Sequence, residues 1–166
     1  MEFNFLIAAV AALIPLVTGF IWYNPKVFGT AWMKASGLTE ESLKGGNMAL
    51  IFLLTYVFSF MLATMVNILV IHQFGFFSTL MNDPDLLVEG TEINQYANDF
   101  MTRYGQNFRT FKHGLFHGVI AGLFFALPIL GVNALFERKG FKYIAINVGY
   151  WAITLGLMGG VICQFA

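Results

Sequence analysis

Four stretches of this chain stay apolar for about the 20 residues that a helix needs to cross a bilayer. They cover residues 3–22, 48–72, 113–136 and 143–165. Polar interruptions are few: Asn4 and Thr18 in the first, Thr55 and Asn67 in the second. The third follows Lys112 and stops against Glu137, Arg138 and Lys139. None alternates apolar with polar positions as the wall of a barrel must, so each predicts a helix. Between the second and third, Asn82-Asp83-Pro84-Asp85 is a turn signal. Thr91 then stands where it can cap a helix that begins at Glu92. From there Tyr96, Phe100, Tyr104 and Phe108 recur every four residues with polar residues between them. That spacing predicts an amphipathic helix over 92–110, lying at the membrane interface, with Gly105 as a place to bend. After the first span, Pro25 starts a second interfacial element, with Phe28 and Trp32 one turn apart. Thr39-Glu40-Glu41 resembles a further helix start before the Gly45-Gly46 break.

Composition sharpens this picture. Of 166 residues, 58% are hydrophobic and only 11% charged, against about 25% charged in a soluble domain. So little charge cannot cover a globular surface, which excludes an ordinary cytosolic enzyme and a disordered chain. Nine basic and nine acidic residues leave no net field to recruit nucleic acid. The expected fold is therefore all-α, a single domain over 1–166. It is an integral membrane bundle of four transmembrane helices with one or two short interfacial helices. The first span reads as a retained helix, not a signal peptide. Glu2 replaces a basic leader, and Gly19-Phe20-Ile21-Trp22-Tyr23 is a poor cleavage site.

Loop charges predict the orientation. The two short loops carry Lys26, Lys34 and Lys44, and Arg138, Lys139 and Lys142, whereas the middle connection has Arg103, Arg109 and Lys112. Six against three puts the short loops in the cytoplasm. Both termini and the middle connection then lie outside.

Small residues mark where helices approach. Gly114, Gly118 and Gly122 form a row in the third span, and Gly156 and Gly160 repeat the spacing in the fourth. In lipid, close van der Waals contact must supply what the hydrophobic effect supplies in water. The plain reading is packing inside one bundle, and self-association through a row is the alternative. Pro15 and Pro128 interrupt the first and third spans.

Two polar sets are costly enough in a membrane to be informative. The inner set is Trp22, Tyr23 and Asn24, then Asn133 and Glu137, then Asn147, Tyr150 and Trp151. Within it Asn24, Asn133, Glu137, Asn147 and Tyr150 make a candidate polar site. Glu137, Asn133 and Asn147 are expected within hydrogen-bonding reach of one common space, because a buried amide needs a partner. The plain reading is interhelical bonding worth about 0.6 kcal/mol per bond. The outer set is His72, His113 and His117. His113 and His117 are one helical turn apart and can share a metal. With His72 on a neighbouring helix, they can also clamp a haem. Only acidic loop residues offer a further ligand, so plain interfacial histidines are the preferred reading and no cofactor is expected. No phosphate loop or nucleophile elbow occurs, and Cys163 sits in an apolar run.

Three blocks carry a resemblance. Trp22-Tyr23-Asn24-Pro25-Lys26-Val27-Phe28-Gly29-Thr30-Ala31-Trp32-Met33, Asn133-Ala134-Leu135-Phe136-Glu137 and Asn147-Val148-Gly149-Tyr150-Trp151 resemble a family of small bacterial membrane proteins. That family is catalogued as domain of unknown function 1761. The resemblance spans nearly the whole chain and implies a four-span protein of the bacterial inner membrane. It picks out the inner polar set and implies no activity. The preferred functional reading is a non-enzymatic accessory subunit or small homo-oligomer. Its partners are the lipid bilayer and either a second copy or a larger membrane complex. One alternative is a small transporter or channel with a polar vestibule near the cytoplasmic face. Another is a metal- or haem-binding redox protein.

Overall fold

The computed structural model describes residues 3–166. Four of its helices are long and apolar enough to cross a membrane: Phe5–Trp22, Met48–Val70, Phe111–Phe136 and Phe141–Phe165. Among the described residues there is no strand. The protein is an all-α, multi-pass membrane protein. Three spans begin at a side-chain cap, in which an oxygen of Asn4, Asn47 or Thr110 accepts from the backbone N–H of Ile7, Leu50 or His113.

The fourth span is the centre of the bundle. Two thirds of its apolar window (67%) is buried, against 17–22% for the other three. Leu155, Met158 and Ile162 on it pack with Ala8 and Ala11 of the first span and with Ala63, Val66 and Val70 of the second. Large residues on the outer faces, such as Leu6, Phe20, Phe58 and Phe124, are exposed. Lipid tails are as apolar as these side chains, so facing them costs nothing.

Contact between the third and fourth spans is close because three glycines permit it. A Cβ added at Gly114 would overlap the Gly159 carbonyl, and one at Gly118 would overlap the Leu155 carbonyl and lie 2.7 Å from the Gly156 Cα. One added at Gly122 would strike the Ala152 backbone. In return, Gly156 lies under Leu115 and Val119, and Gly160 lies under the Phe111 ring. The close approach ends there: a Cβ at Gly131 would meet nothing within 4 Å.

Proline explains both irregularities in the spans. Pro15 has no N–H to offer the Ala11 carbonyl, and the first span breaks into a turn at Ala12 and Leu13. Pro128 likewise leaves the Phe124 carbonyl without its usual donor, and a π turn, Gly122–Ala126, precedes it.

The connections lie on opposite sides of the bundle. On one side, Lys139 donates to the Ser36 carbonyl, joining the two short loops. On the other, Arg109 in the middle connection donates to the Cys163 carbonyl (3.1 Å) and to the carbonyl of Ala166, the last residue of the sequence. The helix expected at the interface over 92–110 runs Glu92–Tyr104, shorter than that range. Gly105 ends it, and Thr110 caps the third span separately. After the first span, the expected element is a π turn at Pro25–Gly29 followed by a helix at Thr30–Ser36. A capping box between Thr39 and Ser42 then starts the helix Glu40–Leu43. One helix was not expected, Gln73–Leu80 directly after the second span.

Candidate metal centre

His72 reaches its position through an elbow. The second span ends at Val70, Ile71 is extended (φ −105°, ψ 95°), and His72 opens the helix Gln73–Leu80. That helix is held against the interfacial helix by a face-to-face stack of Phe76 on Phe100, with ring centres 4.0 Å apart and planes at 11°. His113 and His117 project from the third span, each immediately before one of the glycines that seat that span on the fourth. The glycine seam therefore sets the rotation that brings both imidazoles towards His72.

The three rings meet. Their centroids lie 4.9 Å apart for His72 and His113, 5.0 Å for His72 and His117, and 4.4 Å for His113 and His117. The Nε2 atoms of His72 and His113 are 2.8 Å apart, a hydrogen bond that requires one ring nitrogen protonated and the other bare. One ligand nitrogen from each of the three lies within 4.8 Å of the others. Tetrahedral coordination at about 2.0–2.1 Å sets ligand nitrogens about 3.3 Å apart. To share one ion, the His72–His113 hydrogen bond would have to open and the three nitrogens, now within 4.8 Å of one another, close to that spacing. Among the described residues no carboxylate or thiolate joins the three histidines. The acidic loop residues, where the sequence reading looked for a further ligand, are not part of the group.

Phe108 stands beside the site, its ring 5.1 Å from His113 and 6.2 Å from His72. Its backbone is left-handed, with φ 63°, a conformation that costs a side-chain-bearing residue about 1–2 kcal/mol. The neighbouring bonds hold it there. The Phe108 carbonyl accepts from the Thr110 N–H (2.9 Å) and from Cys163 Sγ (3.2 Å), and Arg109 is anchored on the fourth span.

The inner polar set comes together only in part. Tyr23 donates to Asn147 Oδ1 (2.8 Å), Tyr150 donates to the Pro15 carbonyl (2.8 Å), and Trp22 Nε1 donates to the Ile146 carbonyl (3.0 Å). Asn147 in turn donates to the Tyr143 carbonyl at 2.8 Å. Thr18 and Thr154 share a further hydroxyl bond, 2.8 Å long. Burial raises the Tyr23 hydroxyl well above the ordinary tyrosine range, so it acts as a neutral donor. Asn24 faces its own backbone, accepting from the Lys26 N–H at 2.9 Å to start the π turn.

Asn133 and Glu137 do not join this network. Both are exposed, and among the described residues neither side chain makes a hydrogen bond. Neither therefore bonds to Asn147 directly, and there is a physical reason for it. A regular helix carries the seam from Gly122 to position 133 in three turns of 3.6 residues. The π turn adds about one residue, a rotation of up to about 100°. After it the less exposed positions run through the half-buried Leu130 to the buried Ala134, and Asn133 is turned outward.

Residues 6–163 match the family described as "Protein of unknown function (DUF1761)". No curated protein and no solved structure matches the chain. With nearly its whole length matched, the chain belongs to this family of unknown function.

Proposed function

We propose that this multi-pass membrane protein binds one divalent transition-metal ion through His72, His113 and His117 at one face of the bilayer. The supporting observation is the convergence of three imidazoles from two spans, with ligand nitrogens already within 4.8 Å of one another. Three neutral nitrogens without a thiolate or carboxylate suit zinc, copper(II) or nickel, and suit magnesium or calcium poorly. Three protein ligands also leave one position of a tetrahedral ion for an exchangeable group, as in sites that do chemistry or pass an ion on. By the loop charges, the site faces the outside of the cell.

We prefer this reading to the accessory-subunit and vestibule readings, which have less to support them. The glycine row is used within the chain, between the third and fourth spans, and so offers nothing to a second copy. Asn133 and Glu137 are exposed, while Asn147 is bonded to Tyr23, which gives the vestibule reading less support.

Metal-stripped protein in detergent, dialysed against zinc and then against buffer, tests the proposal by elemental analysis. One zinc per chain is expected to remain. Each of His72→Ala, His113→Ala and His117→Ala is expected to weaken retention at least tenfold. No retained zinc, or retention by the three variants equal to that of the native protein, overturns the proposal.

A further inference from the structure

Beyond its break at Ala12 and Leu13, the first span leans on the fourth. Thr18 bonds to Thr154, Tyr23 to Asn147 and Trp22 to the Ile146 carbonyl. Among the described residues, the facing end of the second span has no such bond to another span. Every residue from Met48 to Leu54 is exposed, around the whole circumference of the helix. A groove of roughly 420 Å³ lies in the fork between these two span ends. We infer that it holds one anionic phospholipid, drawn from the leaflet that meets the two short loops. The groove is at the opposite end of the bundle from the histidines, so the inference does not depend on the metal.

The length of the groove fits one leaflet. Its lining runs along the first span from Pro15 to Asn24, about 13 Å at the 1.5 Å rise of a helix. That is close to half of the roughly 30 Å hydrocarbon core. Leu16, Phe20, Ile51 and Phe52 make its apolar walls. Phe20, Ile51 and Phe52 are exposed, so the groove is open to the bilayer along its side and a lipid tail can enter without leaving the membrane. Asn24 stands at the mouth, just past Trp22, where the span ends.

The mouth selects the headgroup. Asn24 Oδ1 already accepts from the Lys26 N–H (2.9 Å), and among the described residues the Asn24 amide donates to nothing. What it has left to offer is donors, and a phosphodiester brings only acceptors. Lys26 directly follows Pro25, which is on the lining. Lys44 leads into the second span through Gly46, whose backbone lies so near Ile51 that an added Cβ would be 3.2 Å from its Cδ1. On this side of the bundle Lys26, Lys34, Lys44, Arg138, Lys139 and Lys142 outnumber Glu40, Glu41 and Glu137 by six to three. Basic surplus at span ends draws anionic lipid, and pockets between spans on that side bind its headgroups. A second copy in the same orientation would bring the same surplus to the same level. Charge therefore favours a lipid over a homodimer in this fork.

The test titrates metal-free protein in a non-ionic detergent with dioleoylphosphatidylglycerol or dioleoylphosphatidylcholine and counts bound lipid by native mass spectrometry. One phosphatidylglycerol per chain is expected to saturate first. Phosphatidylcholine, with the same tails and no net charge, is expected to bind at least tenfold more weakly. Thr55, also on the lining, carries no charge. Thr55→Phe fills the groove and is expected to cut phosphatidylglycerol binding at least tenfold. Phe52→Ala removes a wall that is half exposed to lipid, so the fold tolerates it where Thr55→Phe lowers stability. It is expected to weaken both lipids about equally. Lys26→Gln is expected to weaken phosphatidylglycerol severalfold and leave phosphatidylcholine unchanged. Equal binding of the two lipids by the native protein overturns the inference. So does phosphatidylglycerol binding that ignores both Thr55→Phe and Phe52→Ala, or a dimer that these variants dissociate.

Discussion

A single added methyl group distinguishes the seam of this bundle from its lipid-facing surface. At Gly118 the new Cβ meets the Leu155 carbonyl and the Gly156 Cα, two backbone groups that cannot rotate away. Gly118→Ala is expected to cost about 1–3 kcal/mol, as overpacking does. Gly131→Ala meets open space and gains helix propensity, so it is neutral or stabilising by up to about 1 kcal/mol. Thermal unfolding in detergent separates the two, and equal effects would contradict the seam. Asn67 gives a prediction of opposite sign. It is fully buried in the second span, and among the described residues neither amide atom has a partner. Asn67→Leu keeps the volume and removes the unpaired dipole, so it is expected to stabilise the fold by about 1 kcal/mol. A destabilised variant would mean that the amide has a partner in the native membrane. At this scale the sequence was legible wherever a helix stayed regular. Asn147 and Tyr150 sit on one face of an unbroken fourth span, and both make the interspan bonds that spacing suggests. Asn133 lies beyond a π turn, and counting by 3.6 residues across that turn points to the wrong face.

Elements were legible in proportion to their length. The four spans differ from the apolar runs by a few residues at their ends, because more than 20 apolar residues leave no other structure open in lipid. The helix Gln73–Leu80 was hidden: eight residues with a glycine among phenylalanines carry too little periodicity to stand out. Missing it placed His72 at the tip of a straight second span and left its convergence with His113 and His117 undecided. The elbow at Ile71 and the aromatic stack beyond it do the positioning, and both are tertiary features. Orientation remains a matter of loop charge. The side that carries Lys34 and Lys139 is expected to be cytoplasmic. Single cysteines at Lys34 and at Glu89, in whole cells treated with a membrane-impermeant maleimide, check this. The native Cys163 is buried and contributes little background. Labelling at position 89 with protection at position 34 is expected, and the reverse pattern would invert the topology.

For the whole molecule, what matters is that the histidine cluster joins elements the glycine seam does not. The seam binds the third span to the fourth, while His72 belongs to the elbow after the second span. An ion held by all three histidines is therefore a cross-link between the second and third spans. Because it binds the native state, it stabilises by RT ln(1 + [L]/Kd), about 2.7 kcal/mol at a hundredfold excess over Kd. Zinc is thus expected to raise the unfolding temperature of the purified protein progressively with concentration. The unfolded state sets the control. His113 and His117 sit one turn apart on a single span, and an apolar span is expected to stay helical in detergent after the bundle separates. The pair then retains affinity without the fold, whereas His72 contributes only when the bundle is assembled. His72→Ala should accordingly keep weak zinc binding yet lose most of the thermal shift. His117→Ala leaves the His72–His113 pair, so it should bind weakly too, but what it binds should still raise the unfolding temperature. A shift of full size in His72→Ala would show that zinc acts on the third span alone, and the cross-link would be wrong.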